Sequence, residues 1–294
     1  MIVIAANPYR GAAHPRERVQ TLAAAIAASG TPVRVLWDVA ERARLLGDPR
    51  ALAGVRCVVA AGGDGTVASV VNELSADVPL ATLALGNENL FARALGLPAD
   101  PIALARAIVG GRTRRLDLGR ATTSAGSRRF GLMLSAGFDA DIVHRVARRR
   151  SAGGPPRRVG RLSYLAPVAT AMCVYGHCPV AVAADGVACA GAYCVVSNLP
   201  EYALALSLTP AARGDDGMLD WLAFERGGLP ALAAYAWAVR RARHQRLAHV
   251  RTGRARRLTL TSATPVPVQL DGDPWGFTPA EVEVLPGALA VVVV

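Results

Sequence analysis

Aromatic residues are scarce in this chain, at 5% of 294 residues, while 52% of the residues are apolar. The interior is therefore expected to be built from small aliphatic side chains. Cysteines are few, and the pairs Cys173/Cys178 and Cys189/Cys194, each with four intervening residues, form no metal-binding signature. Buried free thiols in a reducing compartment fit them better than disulfides. Long apolar runs are missing as well: the stretch Leu162 to Val174 contains Pro167 and is too short to span a bilayer. The N-terminal residues Met1-Ile2-Val3-Ile4-Ala5 have no basic region before them and read as a first strand, not as a signal peptide. A soluble, cytoplasmic protein is the expectation. Acidic residues are outnumbered, and the formal net charge is +11. Arginine clusters carry much of that excess: Arg148-Arg149-Arg150, Arg157-Arg158, Arg240-Arg241 and Arg256-Arg257. Such a balance attracts polyanions or an anionic membrane surface. No zinc pattern, recognition-helix signature or aromatic–basic interleaving accompanies it, so no specific nucleic-acid partner is expected.

The first third alternates strand and helix patterns. Ile2 to Ala6, Val33 to Trp37, Val55 to Ala61 and Leu80 to Leu85 read as strands. Helical spacing joins Val19, Leu22, Ala23 and Ile26, then Val67, Val70, Val71 and Leu74, with further helices over Glu88 to Ala94 and Ile102 to Val109. Repeated strand–helix units predict a Rossmann-like parallel sheet covered on both faces. After about Arg120 the pattern changes. Phe130 to Ser135 reads as a strand, Asp139 to Arg149 as a helix, Ser151 to Pro156 as a loop and Tyr164 to Met172 as a helix. Short strands then accumulate over Val180–Ala184, Ala188–Ser197, Leu219–Phe224, Leu247–Arg251, Leu258–Thr261 and Val266–Leu270, with one helix at Leu229 to Arg243. Asp185-Gly186 is a strong hairpin signal. The chain thus reads as a two-domain α/β protein: an α/β domain over residues 1–122, completed by residues 280–294, and a largely antiparallel β-sandwich domain over residues 123–279. The terminal strands, Val282 to Leu285 and Leu289 to Val294, either complete the second domain or cross back to the first.

Gly62-Gly63-Asp64-Gly65-Thr66 stands between a buried strand and an amphipathic helix. Three glycines in four positions let main-chain amides close around an anion, and the helix N-terminus adds positive potential. The pattern is neither G-x-G-x-x-G nor G-x-x-x-x-G-K-[ST], which argues against a Rossmann dehydrogenase or a P-loop NTPase. Asp64 suits a cation bridging phosphates, or a nucleotide hydroxyl, better than a phosphate itself. Asn7-Pro8 and Gly86-Asn87-Glu88-Asn89 end two other predicted strands. In a parallel sheet these three turns share the ligand-binding edge. Asp271, in Asp271-Gly272-Asp273, follows a strand and reads either as a simple hairpin turn or as a carboxylate presented at a domain edge.

These features occur in the order of a known family. The chain resembles the diacylglycerol kinase catalytic-domain family, in its bacterial lipid-kinase branch related to sphingosine kinases. Asn7-Pro8, Gly62 to Thr66, Gly86 to Arg93, Leu116-Asp117-Leu118-Gly119, Gly137-Phe138-Asp139-Ala140, Gly160 to Tyr164, Asp216-Gly217-Met218-Leu219-Asp220 and Asp271-Gly272-Asp273 carry the resemblance. It implies ATP and Mg²⁺ as cofactors, with the nucleotide phosphates near Gly62 to Thr66, a lipid hydroxyl as acceptor, and an active site in the cleft of two domains. It assigns the proton-accepting role to Asp271 with Asp273 in support, and a structural Mg²⁺ to Asp216, Asp215 and the main chain near Met218. With only Arg213 as a basic neighbour, the acidic pair favours a cation, although an Asp-Asp-Gly turn without metal is the simpler reading. Separately from the resemblance, the basic segment Arg145 to Arg161 reads either as a surface for peripheral contact with an anionic membrane or as a solvated charged face.

Departures from the family pattern fall at Ala84, Asn87, Leu90, Asp273 and the stretch Tyr202-Ala203-Leu204-Ala205-Leu206. Two alternatives to a lipid kinase stay open: an NAD kinase-like enzyme, which shares G-G-D-G and a two-domain plan, and, motivated by Asn87 and Leu90, a nucleotide- or lipid-binding protein without turnover. Against the first, Gly137 to Ala140 and Asp271 to Asp273 fit the lipid-kinase pattern better.

Overall fold

The computed structural model describes residues 1–7, 13–151, 176, 178–203 and 206–294. They divide into two units, Met1–Asp117 with Gly287–Val294, and Leu118–Pro286. Residues Pro8, Arg157, Arg158, Arg161, Cys173 and Leu204, and the helix expected over Tyr164 to Met172, lie outside the described residues.

The first unit is a parallel sheet with helices between its strands. Strand β1 (Ile2–Ala6) pairs in parallel with β2 (Val33–Leu36) and β3 (Cys57–Gly62), and β3 pairs in parallel with β4 (Leu80–Ala84). All five residues of β1 and all six of β3 are buried, as expected of strands covered on both faces. The helices are α1 (Ala13–Ala27), α2 (Val39–Gly47), α3 (Asp64–Glu73), α4 (Leu90–Ala94) and α5 (Pro101–Gly110). Helix α2 starts where Asp38 accepts the Glu41 N–H at 2.7 Å, and α5 where Asp100 accepts that of Ala103 at 2.7 Å, with Pro101 in the first turn. A buried Arg42 guanidinium holds Glu73 at 2.6 Å and also donates to Ser69, which ties α2 to α3.

The second unit is a sandwich. One sheet runs in the order β12 (Val250–Ala255), β11 (Leu219–Phe224), β10 (Tyr193–Ser197), β7 (Met133–Gly137), β14 (Pro267–Leu270), β15 (Asp273–Phe277), with antiparallel neighbours throughout. Opposite it, β8 (Val180–Ala184) pairs with β9 (Val187–Gly191) and β13 (Arg257–Thr261), and β13 pairs with the start of β16 (Ala280–Val292). Strand β16 also pairs with β5 (Thr113–Thr123), and β5 with β6 (Gly126–Phe130). Leu134, Val182, Val196, Trp221, Leu260, Val268 and Val282 belong to one core that both sheets line. Helices α6 (Phe138–Ser151) and α7 (Leu229–Arg240) lie outside the sheets.

Several boundaries differ from the sequence reading for identifiable reasons. Asp185 (φ 43°) and Gly186 (φ 87°) do form the two-residue turn between β8 and β9. The stretch Ala188–Ser197 is not one strand: at Gly191 and Ala192 the chain leaves one sheet for the other, and a Cβ on Gly191 would come within 2.9 Å of the Phe224 carbonyl oxygen. The strand expected at Leu247 starts at Val250 because a 3₁₀ turn, His244–Arg246, precedes it. The two terminal strands are one, β16, whose residues Ala280–Pro286 belong to the second unit and Gly287–Val292 to the first. At the change, the Gly287 N–H donates to Asp117 Oδ1 at 2.7 Å.

Candidate active site

In the first unit, β1, β3 and β4 are parallel, so their C-terminal ends share an edge, and the three expected turns meet there. The Asn7 N–H donates to the Ala61 carbonyl at 3.1 Å, and Asn7 Nδ2 donates to Thr66 Oγ1 at 3.1 Å. The Leu85 N–H donates to the Gly62 carbonyl at 2.8 Å. Asn89, at φ 50°, closes its own turn by accepting the Gly86 N–H at 2.7 Å and donating to the Gly86 carbonyl at 2.9 Å. The helix expected from Glu88 therefore begins only at Leu90. Asp64 Oδ1 accepts the Phe91 N–H at 3.0 Å, which joins the glycine loop to α4. Asn87 is exposed in the same turn, and Leu90 is buried.

The glycines here have different reasons. A Cβ at Gly62 would lie 2.2 Å from Thr66 Oγ1, and one at Gly86 would lie 2.7 Å from Gly63 Cα. Packing within the protein forbids both. Gly65, in the first turn of α3, would place a Cβ against nothing within 4 Å. It leaves room for a bulky group to approach the amides of a helix N-terminus.

In the second unit, Asp271 is the centre. It adopts φ 50° and Gly272 φ 86°, the geometry of a two-residue hairpin between β14 and β15. Its carboxylate accepts three main-chain N–H groups: Gly131 on Oδ2 at 2.7 Å, and Leu132 and Met133 on Oδ1, each at 2.9 Å. This explains why Phe130–Ser135 is not one strand. At Gly131 and Leu132 the amides serve the carboxylate, so β6 stops at Phe130 and β7 starts at Met133. Burial pushes the Asp271 carboxyl up to about 6, against the three amides and the nearby Arg128 charge, which pull it down.

Asp273 does not bond to Asp271. It pairs with Arg128 at 3.0 Å, and Arg128 lies 5.0 Å from the centre of the Trp275 ring. The Arg128 charge that Asp273 pairs with is one of the influences that lower the Asp271 carboxyl.

Sequence reading missed the support of this turn. Gln269, fully buried, accepts the Gly272 N–H on Oε1 at 2.8 Å and donates from Nε2 to Ser135 Oγ at 2.9 Å. Ser135 in turn donates to Asp139 Oδ2 at 2.6 Å, and the Tyr202 hydroxyl donates to Asp139 Oδ1 at 2.7 Å. Burial, and then the Asp139 charge, raise the Tyr202 phenol well above its ordinary range, so it stays a donor. A lone polar residue in the apolar run Val266 to Leu270 was the available signal.

The acidic loop departs from its expected neighbourhood. Arg213 lies 3.3 Å from Asp215, but Arg254 is also present, paired with Asp216 and 3.6 Å from Asp220. Asp216 Oδ1 accepts the Met218 N–H at 3.1 Å. Burial raises the Asp220 carboxyl, Arg254 lowers it and Asp216 raises it further. A guanidinium thus offsets the acidic repulsion that was expected to call for a cation. Among the described residues no three His, Cys, Asp or Glu side chains gather as a metal site. The loop does not fit a side-chain cage for Mg²⁺.

Cys57, Cys178, Cys189 and Cys194 are free, and burial pushes Cys57 up to about 12, which marks an inert core thiol. No helix among the described residues is long and apolar enough to cross a membrane.

Known protein families match both parts of the chain. The diacylglycerol kinase catalytic domain matches residues 1–121, and the YegS C-terminal NAD kinase beta sandwich-like domain matches residues 133–293. A protein of Pseudomonas putida named "probable lipid kinase YegS-like" is 36% identical over 114 residues, covering 38% of this chain and 37% of that protein. A Pseudomonas fluorescens protein of the same name is 31% identical over 195 residues, covering 64% of this chain and 61% of its own. The chain thus spans less than two thirds of these curated relatives. The structure of a diacylglycerol kinase from Bacillus anthracis has a TM-score of 0.71 at 16% identity, covering all of this chain and 96% of that one. An NAD kinase from Archaeoglobus fulgidus, solved in complex with ATP, has a TM-score of 0.55 at 12% identity, covering 99% of this chain and 93% of that one. These two likenesses establish a shared two-domain fold. With one family matched over the first unit's residues and the other over more than half of its length, the chain belongs to the diacylglycerol kinase catalytic-domain family, in the branch that carries a YegS-type C-terminal domain.

Proposed function

We propose that this protein transfers the γ-phosphoryl group of ATP to the hydroxyl of a lipid, such as diacylglycerol or a sphingoid lipid. The observation that carries the reading is Asp271: a carboxylate oriented by three main-chain amides and held at about 6, where it can take and release a proton near neutrality. Oδ2 bears one amide and keeps a second lone pair for the acceptor hydroxyl's proton. Arg128, anchored by Asp273, favours the ionised form. Gln269 fixes the turn that presents it, and Asp139, Ser135 and Tyr202 fix Gln269.

In the first unit, Gly62 to Thr66 would hold the nucleotide phosphates, with Gly65 admitting them to the amides of α3. Asn7, Gly86, Asn87 and Asn89 would shape the same edge. Asp64, tied by one amide, keeps acceptor capacity for a cation or a ribose hydroxyl. Mg²⁺ bound with the nucleotide would neutralise phosphate charge. Peripheral contact with an anionic membrane belongs to the same proposal, since the acceptor resides there.

The test is transfer of labelled γ-phosphate from ATP and Mg²⁺ to a panel of lipids in mixed micelles, with NAD as a control acceptor. A labelled lipid is the expected product. Label on NAD alone would make the protein an NAD kinase. Nucleotide binding with no labelled product on any acceptor would make it a binding protein.

A further inference from the structure

Helix α7 is apolar on both of its faces, and the protein uses only one. Leu232, Tyr235 and Val239 pack against Tyr193, Leu222 and Phe224 of the sheet beneath. The opposite face consists of Leu229, Pro230, Ala233, Ala234, Ala236 and Trp237, all exposed. Trp237 is 59% exposed and Leu229 47%. Single exposed apolar side chains need no explanation, but a continuous stripe on a helix that is apolar all round does. At 12 residues the helix is too short to cross a bilayer.

Arginine dominates the charge that follows the helix, and the one acidic side chain just before it, Glu225, is paired with Arg251 at 2.6 Å. From Arg226 through Leu270 the chain contains no aspartate or glutamate. Arg240, Arg241, Arg243 and Arg246 follow the stripe directly, are exposed, and form no ion pair with any described residue. The Arg241 guanidinium lies 4.0 Å from the centre of the Trp237 ring, which keeps a cation at the edge of the apolar face.

We propose that α7 is an interfacial helix that rests on an anionic lipid surface. Trp237 and Leu229 enter the headgroup region, and the arginines beside them meet lipid phosphates. A second copy of the chain suits this face poorly, because a symmetric contact would bring the two arginine clusters together. The proposal rests on the lipid-kinase reading in that it locates where the enzyme would meet its acceptor. It is a different surface from Arg145–Arg161, most of which lies outside the described residues and in which Arg145 is held by Asp141 at 2.5 Å.

The test is cosedimentation of the full chain, without nucleotide, with vesicles of phosphatidylcholine alone and of equal parts phosphatidylcholine and phosphatidylglycerol. Binding to the anionic vesicles is expected, with Trp237→Ser and Leu229→Ser each weakening it about tenfold. Arg240→Ala and Arg241→Ala should each weaken it about fivefold, and added salt should reduce it. Brominated lipid should quench a fluorescence component that Trp237→Phe lacks. All five substitutions are at exposed positions, and thermal unfolding checks that the fold persists. Unaltered partitioning of both serine variants would overturn the proposal. So would a wild-type dimer in light scattering that these variants dissolve, since the face would then belong to a second copy. Because binding is read without turnover, the two readings fail separately. Vesicle binding that depends on Trp237, with no lipid phosphorylated, would sink the kinase and keep the helix. Lipid phosphorylation without such binding would do the reverse.

Discussion

Asp64 and Asp271 are both carboxylates beside glycines, and both accept main-chain N–H groups, yet their surroundings prepare them for different chemistry. Asp64 takes one amide, from Phe91, at the N-terminus of a helix in the first unit. That geometry leaves acceptor positions on the carboxylate for a cation or a hydroxyl. Asp271 takes three amides in a buried hairpin of the second unit, and burial outweighs them. One carboxylate is suited to bind and the other to exchange a proton. The sequence pattern around each is nearly the same, so the assignment comes from burial and from the count of amides.

The comparison is broken most sharply at Asp271. Asp271→Asn should lower transfer by about two to four orders of magnitude. The turn should survive, because asparagine also tolerates the left-handed conformation that Asp271 adopts at φ 50°. Nucleotide affinity, which the proposal places in the other unit, should stay unchanged. Single-turnover transfer and equilibrium ATP binding check the two halves of this statement. Retained turnover would move the base to another group, with Asp273 the next to test. A pH profile sharpens the same point. A base must be ionised, so with the carboxyl held at about 6 the wild-type kcat/KM should be flat above that pH. It should fall about tenfold for each unit below. An unperturbed aspartate would keep its activity to about pH 4. Activity flat down to pH 4 would therefore remove Asp271 as the base.

Asp64→Ala tests the other partner. It should weaken binding of ATP with Mg²⁺ by about tenfold, in line with loss of one charge-assisted contact. Turnover at saturating nucleotide should suffer less than in Asp271→Asn. Unaltered ATP affinity, measured by calorimetry, would contradict the binding role and leave Asp64 as the link between the glycine loop and α4.

Much of this arrangement was legible in the sequence. The parallel first unit follows from strand–helix alternation with fully buried strands, and the convergence of Asn7, Gly62–Thr66 and Gly86–Asn89 follows from parallel order. The hairpin at Asp185-Gly186 follows from turn chemistry. What escaped depends on partners distant in sequence. Gly131 to Met133 leave the strand pattern because their amides are claimed by a carboxylate some 140 positions away. Arg254 reaches the acidic loop from a strand on which nothing local marks it. Gln269 reads as an interruption of an apolar run until Gly272 and Ser135 are seen on either side of it. Local patterns report local energetics, and a buried polar network is not local.

The smallest effect expected is the most diagnostic for the nucleotide loop. Gly62 and Gly65 are three residues apart in one motif, and the structure gives them opposite roles. Gly62→Ala drives a methyl group into Thr66 and should destabilise the protein by about 1–3 kcal/mol. Gly65→Ala meets no atom within 4 Å and sits in the first turn of α3 at a conformation alanine adopts without strain. Alanine there should stabilise the protein by about 0.5–1 kcal/mol, because glycine in a helix costs backbone entropy. Thermal unfolding checks both signs. If Gly65 is kept open for phosphates, the stabilised variant should nonetheless bind ATP several-fold more weakly. A variant that gains stability and keeps its ATP affinity would show that no ligand approaches this turn, and would leave the first unit's claim on the nucleotide to Asp64 and Asn7 alone.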